Sequence, residues 1–562
     1  MSTIRVLSRS LEVEFEVGSN RRGAVSGAGW LYALPHLGFG RVVCIGAPSA
    51  ATVATLAKSV SVLEVVEPSA RARWRIDAQA RQAGWAGVRT VVDEASLGAE
   101  PTVDLLVVAE GRAGRDVALV AQVMGRLGPG GLAVLPAPVA AAAPRPKGQI
   151  PATLELALTP ARGEVRAAVP AADHAMRATL RRLGLEGRWV PADRLAARVV
   201  QRLPSFLAGA LGGRGNRAVV IVGGPADVRA DVPTYIRDIA ADAGRDLSGW
   251  GWGVAARGDY DSQKVLVLLR PPSFAEPTGI VKVTRSEVHR ARLENEARAL
   301  DRLAGLPAAA GRAPRPWFSG EHAGRVLLGA SFIDGVAFTS RARWQPECPH
   351  LADAAGWLTE LGAATATPVP AGVVADALLS LLDRYERAYR PTSGELAGLR
   401  QRFEAVRRIP EPIPAVLQHG DPGIWNLLID ATGRTVFLDW EAAEPDGLPL
   451  WDLLYLVRSY AVATSRRAGV RDRLEAASRH LLDASPLGER IIDLVQGYGA
   501  RVGLPTAAVE ALIYGCWVHR SLKESTRMAP ERLADGQFVR LIRRMLAQPD
   551  APTLARLAGS RS

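Results

Sequence analysis

The sequence LQHGDPGIWNLLID, residues 417–430, places His419, Asp421 and Asn426 directly before a short apolar run. A Gly-Arg turn follows this run, and a second apolar run after the turn ends at Asp439. Two short apolar runs around such a turn are typical of a β-hairpin. Because the two strands of a hairpin pair with each other, we expect Asn426 and Asp439 to lie close together.

These side chains suit the transfer of a phosphoryl group to a hydroxyl. The reaction needs an aligned hydroxyl, a base close to it and metal ions that neutralise the polyphosphate. Asp421 can accept the proton of the hydroxyl. Asn426 and Asp439 offer hard oxygen ligands, which Mg²⁺ prefers in proteins. The stretch therefore predicts a magnesium-dependent phosphotransferase site.

The spacing of these motifs resembles the catalytic region of the aminoglycoside phosphotransferase and choline kinase family. The shared features are HGD with an Asn five residues after the Asp, LDWE at 438–441 and PLWDL at 449–453. The resemblance implies a protein-kinase fold, ATP as the phosphoryl donor with GTP left open, and Mg²⁺ as a cofactor. It also implies that His419 and Asp421 are catalytic residues and that Asp452 orders the catalytic segment.

The composition limits the class of protein. A chain of 562 residues with 48% hydrophobic and 22% charged residues is typical of a globular protein of two or more domains. The formal net charge of +12 would suit an anionic partner, but the arginines form no basic run, so we do not expect nucleic acid. Cys44, Cys348 and Cys516 lie far apart, which argues against a zinc site and a disulfide framework.

The N-terminal sequence MSTIRVLSRSLEVEFEV carries charges where a signal peptide would have its apolar core. No segment of the sequence reaches the ~18 uninterrupted apolar residues of a membrane span. We therefore expect a cytoplasmic protein without a membrane span. The sequence does not indicate its oligomeric state.

Short apolar runs alternate with amphipathic segments over residues 41–136. This alternation predicts an α/β domain with a doubly wound, mostly parallel sheet. Ligands of such sheets bind at the carboxyl ends of the strands, where Gly46 and Glu67 lie. A carboxylate that closes the second strand is the usual partner of a ribose diol.

The order of strands and helices over residues 25–225 resembles the class I S-adenosylmethionine-dependent methyltransferases. The resemblance implies S-adenosylmethionine as a second cofactor, with Gly46 allowing a close backbone approach and Glu67 holding the ribose. The chain departs from that family in its first loop, where GAPS replaces a run of glycines. In addition, Pro48 lacks a backbone donor. The alternative is a methyltransferase-like domain with a purely structural role.

The strand GIVKVTR carries Lys282 among apolar residues, and the helical segment LENEARALDRL carries Glu296. A lysine in such a strand is costly to bury without a partner. Glu296 is the natural partner, with Glu294 as the alternative. In the resembling family, such a Lys holds the nucleotide phosphates and such a Glu holds the Lys.

The same resemblance implies two further nucleotide-binding segments. The turn that contains Arg257 and Gly258 would cover the phosphates, although it departs from GxGxxG. The connector after the strand RVLLGAS would be the hinge between two lobes. There, backbone groups of Ser331, Phe332 and Ile333 would contact adenine.

The chain is therefore expected to divide into two domains. Residues 1–228 would form the methyltransferase-like domain. Residues 229–562 would form a bilobal α+β domain of the protein-kinase type, with lobes at about 229–333 and 334–562.

Three functions fit these features. The leading one is an ATP-dependent phosphotransferase that acts on a hydroxyl of a small molecule or sugar. One alternative is a bifunctional methyltransferase-kinase that modifies a single glycan or glycolipid acceptor. The other is a catalytically silent, nucleotide-binding regulatory protein, against which the presence of Lys282, Asp421, Asn426 and Asp439 argues.

The charge of the C-terminal region bears on the acceptor. From residue 455 to the end, the chain has 17 basic and 10 acidic side chains. In the resembling family this region builds the acceptor pocket, and a polycationic acceptor would require carboxylates there. The basic excess predicts a neutral or anionic acceptor. The alternative is that these arginines are solvated while Glu444 and Asp446 line the pocket.

Overall fold

The computed structural model describes residues 29–48, 50–98, 102–109, 117–136, 153–161, 164–170, 173, 175–176, 178–179, 217–223, 231–256 and 263–558. The chain forms two compact units. The N-terminal unit holds the described residues up to 293 together with residues 317–332. The C-terminal unit holds residues 294–316 together with the described residues from 333 onward.

In the part of the chain that the structure describes, the N-terminal unit is built on one sheet of thirteen strands. The strands are β1 (Phe39–Ile45), β2 (Val60–Val66), β3 (Val88–Val91), β4 (Val103–Val108), β5 (Leu127–Pro136), β6 (Thr153–Ala161), β7 (Glu164–Pro170), β8 (Arg217–Gly223), β9 (Gly251–Ala255), β10 (Val265–Arg270), β11 (Gly279–Val283), β12 (Pro316–His322) and β13 (Arg325–Ser331). Their order in space is β12-β13-β11-β10-β9-β7-β6-β8-β5-β4-β1-β2-β3.

The first five strands form the parallel half of this sheet, in the order β3-β2-β1-β4-β5. β8 then pairs antiparallel with β5 and with β6. The central strand β1 is a nearly continuous apolar run because it is buried on both faces; Val42, Val43, Cys44 and Ile45 are all at most 1% exposed. The predicted α/β class with a mostly parallel, methyltransferase-like sheet is confirmed.

Four α-helices lie entirely within the described residues of the N-terminal unit, namely α1 (Ala50–Ala57), α2 (Ala70–Ala83), α3 (Val117–Met124) and α4 (Thr234–Asp242). α2 shows how local sequence sets their ends. Ser69 caps its first turn by accepting the N–H of Ala72, and Gly84 ends it in a left-handed conformation with φ of 71°.

The remaining strands form an antiparallel meander of the kind that the kinase fold requires. β9, β10, β11 and β13 pair antiparallel in that order, and β9 also pairs with β7. One sheet therefore runs from the methyltransferase-like strands into the kinase-like strands. The predicted domain boundary at residue 228 falls within this unit, after β8, and stays a prediction.

The C-terminal unit is mainly helical in its described residues. Its helices are α5 (Arg290–Ala304), which begins in the N-terminal unit, α6 (Phe338–Arg341), α7 (Pro349–Thr365), α8 (Ala371–Tyr389), α9 (Ser393–Ala405), α10 (Trp451–Arg467), α11 (Arg473–Leu481), α12 (Pro486–Val502), α13 (Thr506–Ser525), α14 (Gln537–Ala547) and α15 (Pro552–Leu557). Six short strands complete it, namely β14 (Gly335–Ala337), β15 (Thr367–Val369), β16 (Ile413–Gln418), β17 (Leu427–Asp430), β18 (Thr435–Phe437) and β19 (Glu444–Gly447).

The hairpin predicted after the HGD motif is present. β17 and β18 pair antiparallel, with Leu427 opposite Phe437, and β14 extends this small sheet. The N–H of Leu438 donates to the carbonyl of Asn426 at 2.9 Å. The hairpin therefore brings Asn426 next to the chain segment that contains Asp439, as the sequence predicts.

Helix α13 is largely buried, and every residue from Ala508 to Leu522 except Glu510 is buried. Two hydrogen bonds from other elements fix its position. The Trp451 indole donates to the carbonyl of Leu512 at 2.9 Å, and the Tyr389 hydroxyl donates to the carbonyl of Ser521 at 2.6 Å.

Among the residues described, no helix has both the length and the hydropathy needed to cross a bilayer.

Candidate active site

The loop that follows β16 is anchored by a buried carboxylate. The backbone N–H groups of His419 and Gly420 donate to the two oxygens of Asp452, at 2.5 Å and 3.1 Å. Asp452 lies in the first turn of α10 and is 9% exposed. Burial raises the pKa of its carboxyl, although His419 and the two N–H donors act in the opposite direction. Asp452 thus holds the loop in place from 33 residues farther along the chain.

His419 is fully buried, and both of its ring nitrogens have partners. Its Nδ1 accepts the N–H of Asp421 at 3.2 Å, so the proton resides on Nε2, which donates to the carbonyl of Leu438 at 2.8 Å. The ring packs against Trp440, with centroids 4.4 Å apart. The buried ring holds the backbone of Asp421 through the hydrogen bond at Nδ1, and the catalytic role of His419 stays a prediction.

Gly420 is required by its surroundings. Its φ is 77°, and a Cβ at this position would lie 1.9 Å from the carbonyl oxygen of Ala442. Two cations of α13 reach its own carbonyl, Arg520 through Nη2 at 2.9 Å and Lys523 through Nζ at 3.3 Å. Any larger residue here would displace the loop that carries Asp421.

Asp421 is the chemically available group of this loop. Its side chain is 33% exposed. One carboxylate oxygen accepts from Arg520 at 3.2 Å, and the other accepts from the Asn426 amide at 3.3 Å. Both contacts orient the carboxylate while leaving it open to solvent, as a general base for a hydroxyl requires.

The side-chain amide of Asn426 is held by the backbone of the Asp421 loop. Its side-chain nitrogen donates to the backbone carbonyl of Asp421 at 2.9 Å. Because the nitrogen is used in this way, the amide oxygen is the atom directed elsewhere, and oxygen is the atom that binds Mg²⁺.

Asp439 adopts an uncommon backbone conformation, with φ of 66° and ψ of 61°. Left-handed conformations of non-glycine residues cost free energy and cluster at functional sites. No group of three or more His, Cys, Asp and Glu side chains that could hold a metal occurs in the described residues. The donor set of Asn426 and Asp439 still fits Mg²⁺, because this ion takes one or two protein ligands and completes its shell with phosphates and water.

The sequence alone does not reveal Arg520 and Lys523, which come from α13 about 100 residues after Asp421. Arg520 is 6% exposed, and its guanidinium carbon lies 3.3 Å from the centroid of the Tyr455 ring. The rarity of lysine is the one feature of the sequence that could have drawn attention to Lys523. Only 5 of the 69 basic Lys and Arg residues are lysines, and of these only Lys282 is predicted from the sequence to be a site residue.

Glu444 and His519 form a buried pair near these cations. Glu444 is 5% exposed, and its Oε1 lies 4.0 Å from Nε2 of His519. Burial raises the pKa of Glu444 to about 7, and burial lowers the pKa of His519 well below its usual value. His519 is therefore neutral, and its ring stacks on Trp451. Glu444 exposes little surface, and the alternative in which it lines the acceptor pocket together with Asp446 stays a prediction.

The predicted nucleotide-binding pair is divided between the two units. Lys282 lies in the middle of β11, opposite Leu266 and Leu328, and is half-buried. Glu296 lies in the C-terminal unit, in α5, and has no exposed surface. Their ion pair stays a prediction.

The predicted hinge follows β13. Ser331 is the last residue of the strand and pairs with Gly279, while the N–H of Phe332 donates to the carbonyl of Thr278 at 2.8 Å. Because this N–H is already hydrogen-bonded to Thr278, a contact between Phe332 and adenine would use the Phe332 carbonyl. Contacts by Ser331 and Ile333 stay predictions. Arg257 and Gly258 lie outside the described residues.

In the methyltransferase-like half, Gly46 has φ of 83° and donates its N–H to the carbonyl of Val66 at 2.8 Å. Glu67 is 4% exposed. Its Oε2 accepts the N–H of Ala47 at 2.9 Å, and its Oε1 accepts the N–H of Ser69 at 2.8 Å. Glu67 thus ties the loop after β1 to the start of α2, and its contact with a ribose stays a prediction.

The model of the phosphotransferase enzyme family, abbreviated APH, matches residues 253–487. The chain contains a phosphotransferase-family domain. The resemblance predicted for the C-terminal part is confirmed, because the matched range of this phosphotransferase-family domain includes the HGD, LDWE and PLWDL motifs. No protein of curated function matches the chain.

Several solved structures are similar. Aminoglycoside phosphotransferase APH(3'')-Id from Streptomyces rimosus is 17% identical, with 53% of this chain and 99% of that chain covered and a TM-score of 0.29. Macrolide 2'-phosphotransferase MphH from Brachybacterium faecium is 18% identical, with 53% and 96% covered and a TM-score of 0.32.

A third similar structure extends over both halves of the chain. The bifunctional kinase-methyltransferase WbdD is 12% identical, with 83% of this chain and 84% of that chain covered and a TM-score of 0.24. At such identities and TM-scores, these similarities do not identify an acceptor.

Proposed function

We propose that this protein transfers the γ-phosphoryl group of ATP to a hydroxyl of a small molecule or sugar. The observation that carries the proposal is the orientation of Asp421 and Asn426. The Asn426 nitrogen holds both the backbone carbonyl and one carboxylate oxygen of Asp421, so the Asn426 amide oxygen remains for a metal. The Asp421 side chain is 33% exposed, which leaves it open to an acceptor hydroxyl. The family match to residues 253–487 supports the same reaction class.

In the proposed reaction, the acceptor hydroxyl oxygen forms a bond to the γ-phosphorus while its proton passes to the Asp421 carboxylate. The bond between the γ-phosphorus and the β,γ-bridging oxygen breaks, and ADP leaves. Asn426 and Asp439 would hold Mg²⁺, which neutralises the polyphosphate. Lys282 would bind the phosphates.

Further nucleotide contacts belong to the proposal. Glu296 would orient Lys282, Arg257 and Gly258 would cover the phosphates, and the hinge at Ser331, Phe332 and Ile333 would contact adenine. In this proposal residues 229–562 form the kinase domain and residues 1–228 the methyltransferase-like domain.

A neutral or anionic acceptor belongs to this proposal. The side chains that border Asp421 from α13 are the cations Arg520 and Lys523. Glu444, which could have served a cationic acceptor, is buried. Trp425, in the loop between Asp421 and Asn426, is 58% exposed and offers an apolar face to a ring-bearing acceptor such as a sugar.

Methyl transfer is not part of the proposed function. Both oxygens of Glu67 already accept N–H groups of the surrounding loop. The first loop has a single glycine before Ala47 and Pro48, so it offers few backbone donors to a cofactor. A silent nucleotide-binding role is also not favoured, because the anchored loop keeps Asp421 exposed.

The test is ATP turnover by the full chain against a panel of uronic acids, sugar phosphates, neutral sugars, amino alcohols and aminoglycosides. Phosphorylated product is identified by mass. Asp421→Asn preserves size and polarity but removes the base, so turnover should fall by ~10²–10⁴-fold. Asp535→Asn, a change at an exposed carboxylate, serves as the control. Unchanged turnover in Asp421→Asn would contradict the proposed base, and no product from any acceptor would contradict the function.

A further inference from the structure

Helix α13 places two cations against the residue that precedes the proposed base. Arg520 and Lys523 are three positions apart, so they project from the same side of the helix. Both donate to the carbonyl of Gly420, at 2.9 Å and 3.3 Å. A single carbonyl oxygen cannot balance two positive charges, so the pair has charge in excess of what this contact satisfies.

The two cations differ in how well they are satisfied. Arg520 has the Asp421 carboxylate at 3.2 Å and the Tyr455 ring beneath its guanidinium. Lys523 has three N–H donors but makes only the 3.3 Å hydrogen bond to Gly420 within the described residues. In that same part of the chain, no carboxylate oxygen lies within 4.0 Å of its ammonium nitrogen.

The surroundings make this arrangement costly for Lys523. Burial lowers the pKa of its ammonium, and the neighbouring Arg520 lowers it further, while Glu444, Asp421 and Asp452 act in the opposite direction from beyond ion-pair distance. A half-buried ammonium with unused donors beside a second cation is stabilised when an anion enters. Lysine is a compact point charge that serves phosphate well.

We infer that Lys523 is an oxyanion-binding residue beside Asp421, and that its ligand is a phosphoryl or carboxylate oxygen. The inference rests on the proposed phosphotransferase function for its role in turnover. Two sources offer the same chemistry: the phosphoryl group in transfer, or an anionic group carried by the acceptor itself. Arg520 is occupied by Asp421, so the site depends on Lys523.

Direct binding is measured with inorganic phosphate and sulfate, by calorimetry on the full chain. Lys523→Met removes the charge and keeps the length of the side chain, whereas Lys523→Arg keeps the charge. Lys58→Met, at an exposed lysine in the N-terminal unit, is the matched control. We expect Lys523→Met to weaken phosphate binding by roughly 10- to 100-fold, with Lys523→Arg recovering part of it and Lys58→Met unchanged.

Kinetics distinguish the two sources. If Lys523 binds the phosphoryl group in transfer, Lys523→Met lowers kcat for every acceptor and leaves acceptor KM unchanged. If it binds a group on the acceptor, Lys523→Met raises KM for sugar phosphates or uronic acids and leaves neutral sugars unaffected. Either pattern supports the site.

The inference is overturned if Lys523→Met matches the wild type in both phosphate binding and turnover. A wild-type chain without any phosphotransferase activity would refute the proposed function instead, and the phosphate titration would still decide on the site. Melting temperatures of all variants confirm that they are folded.

Discussion

The Arg520 guanidinium joins the side chain of Asp421 to the backbone of the residue before it. One nitrogen donates to Asp421 Oδ1 at 3.2 Å, and the other donates to the Gly420 carbonyl at 2.9 Å. Together with Asn426 on the other carboxylate oxygen, this leaves Asp421 little freedom to rotate. The proposed base is therefore positioned from two directions, by its own loop and by a helix about 100 residues away.

Arg520→Met should lower kcat by on the order of 10²-fold, because a base that is misplaced by about 1 Å loses that much. The KM for ATP should stay unchanged, since Arg520 acts through Asp421. Arg520→Lys should recover only part of kcat, because lysine lacks the planar fork that reaches both oxygens. Steady-state kinetics of both variants test this positioning role. An equal loss in nucleotide affinity would contradict it.

Local features of the sequence were sufficient to predict the hairpin that follows the loop of Asp421. The turn between two apolar runs predicts the pairing of β17 with β18, and the pairing places Asn426 beside the Asp439 segment. The strand and helix alternation likewise predicts the parallel half of the large sheet. In each case the strands either follow one another across a short turn or alternate regularly with helices, and turn chemistry and periodicity predict such patterns.

The rest of the site depends on long-range packing. The sequence of α13 is largely apolar, and nothing local shows that its Arg520 and Lys523 donate to the carbonyl of Gly420. Similarly, His419 belongs to the motif that predicts catalysis, but the sequence does not show that its ring is buried against Trp440 and hydrogen-bonded to the carbonyl of Leu438. Glu67 occupies the position of a ribose ligand, but its oxygens serve its own loop.

Two substitutions of Asp439 can separate the effect of its backbone conformation from the effect of its charge. Asn tolerates the left-handed conformation and Ala does not, so Asp439→Ala should be less stable than Asp439→Asn by about 1 kcal/mol. Both variants should lose most magnesium-dependent nucleotide binding, because each lacks the charged ligand. Thermal unfolding and magnesium titration of bound nucleotide measure the two effects. Full nucleotide binding by Asp439→Asn would show that the charge is not a metal ligand.

Glu67 should act mainly as a structural residue. Glu67→Ala removes the acceptor of two N–H groups in a site that is 4% exposed, which should destabilise the fold by about 1–3 kcal/mol. Glu67→Gln keeps one acceptor and should cost less. S-adenosylmethionine should bind the wild-type chain weakly or not at all by calorimetry. Tight binding of S-adenosylmethionine that Glu67→Ala abolishes without loss of stability would support the predicted contact between Glu67 and the ribose.

Glu444 should make stability depend on pH. Burial raises the pKa of this carboxyl from 4.5 to about 7 in the folded protein. Below pH 4.5 the Glu444 carboxyl is protonated in both the folded and the unfolded states, so the stabilising contribution of its raised pKa is fully present there. As pH rises toward about 7, the unfolded state releases the proton first, and the free energy of unfolding falls; above about 7 it stays at the lower level.

Glu444→Gln removes this titration, so its stability relative to the wild type should be greater at pH 8 than at pH 5, by about 1 kcal/mol or more. The groups that act on Glu444 are Lys523, Asp452, Arg520 and Arg384, with neutral His519 at 4.0 Å. Denaturant unfolding of the full chain at both pH values measures the difference. Asp446→Asn, on the same strand, is the control for the loss of a carboxylate from this strand. A difference between Glu444→Gln and wild type that is equal at both pH values would mean that Glu444 ionises in the folded protein as it does in the unfolded chain.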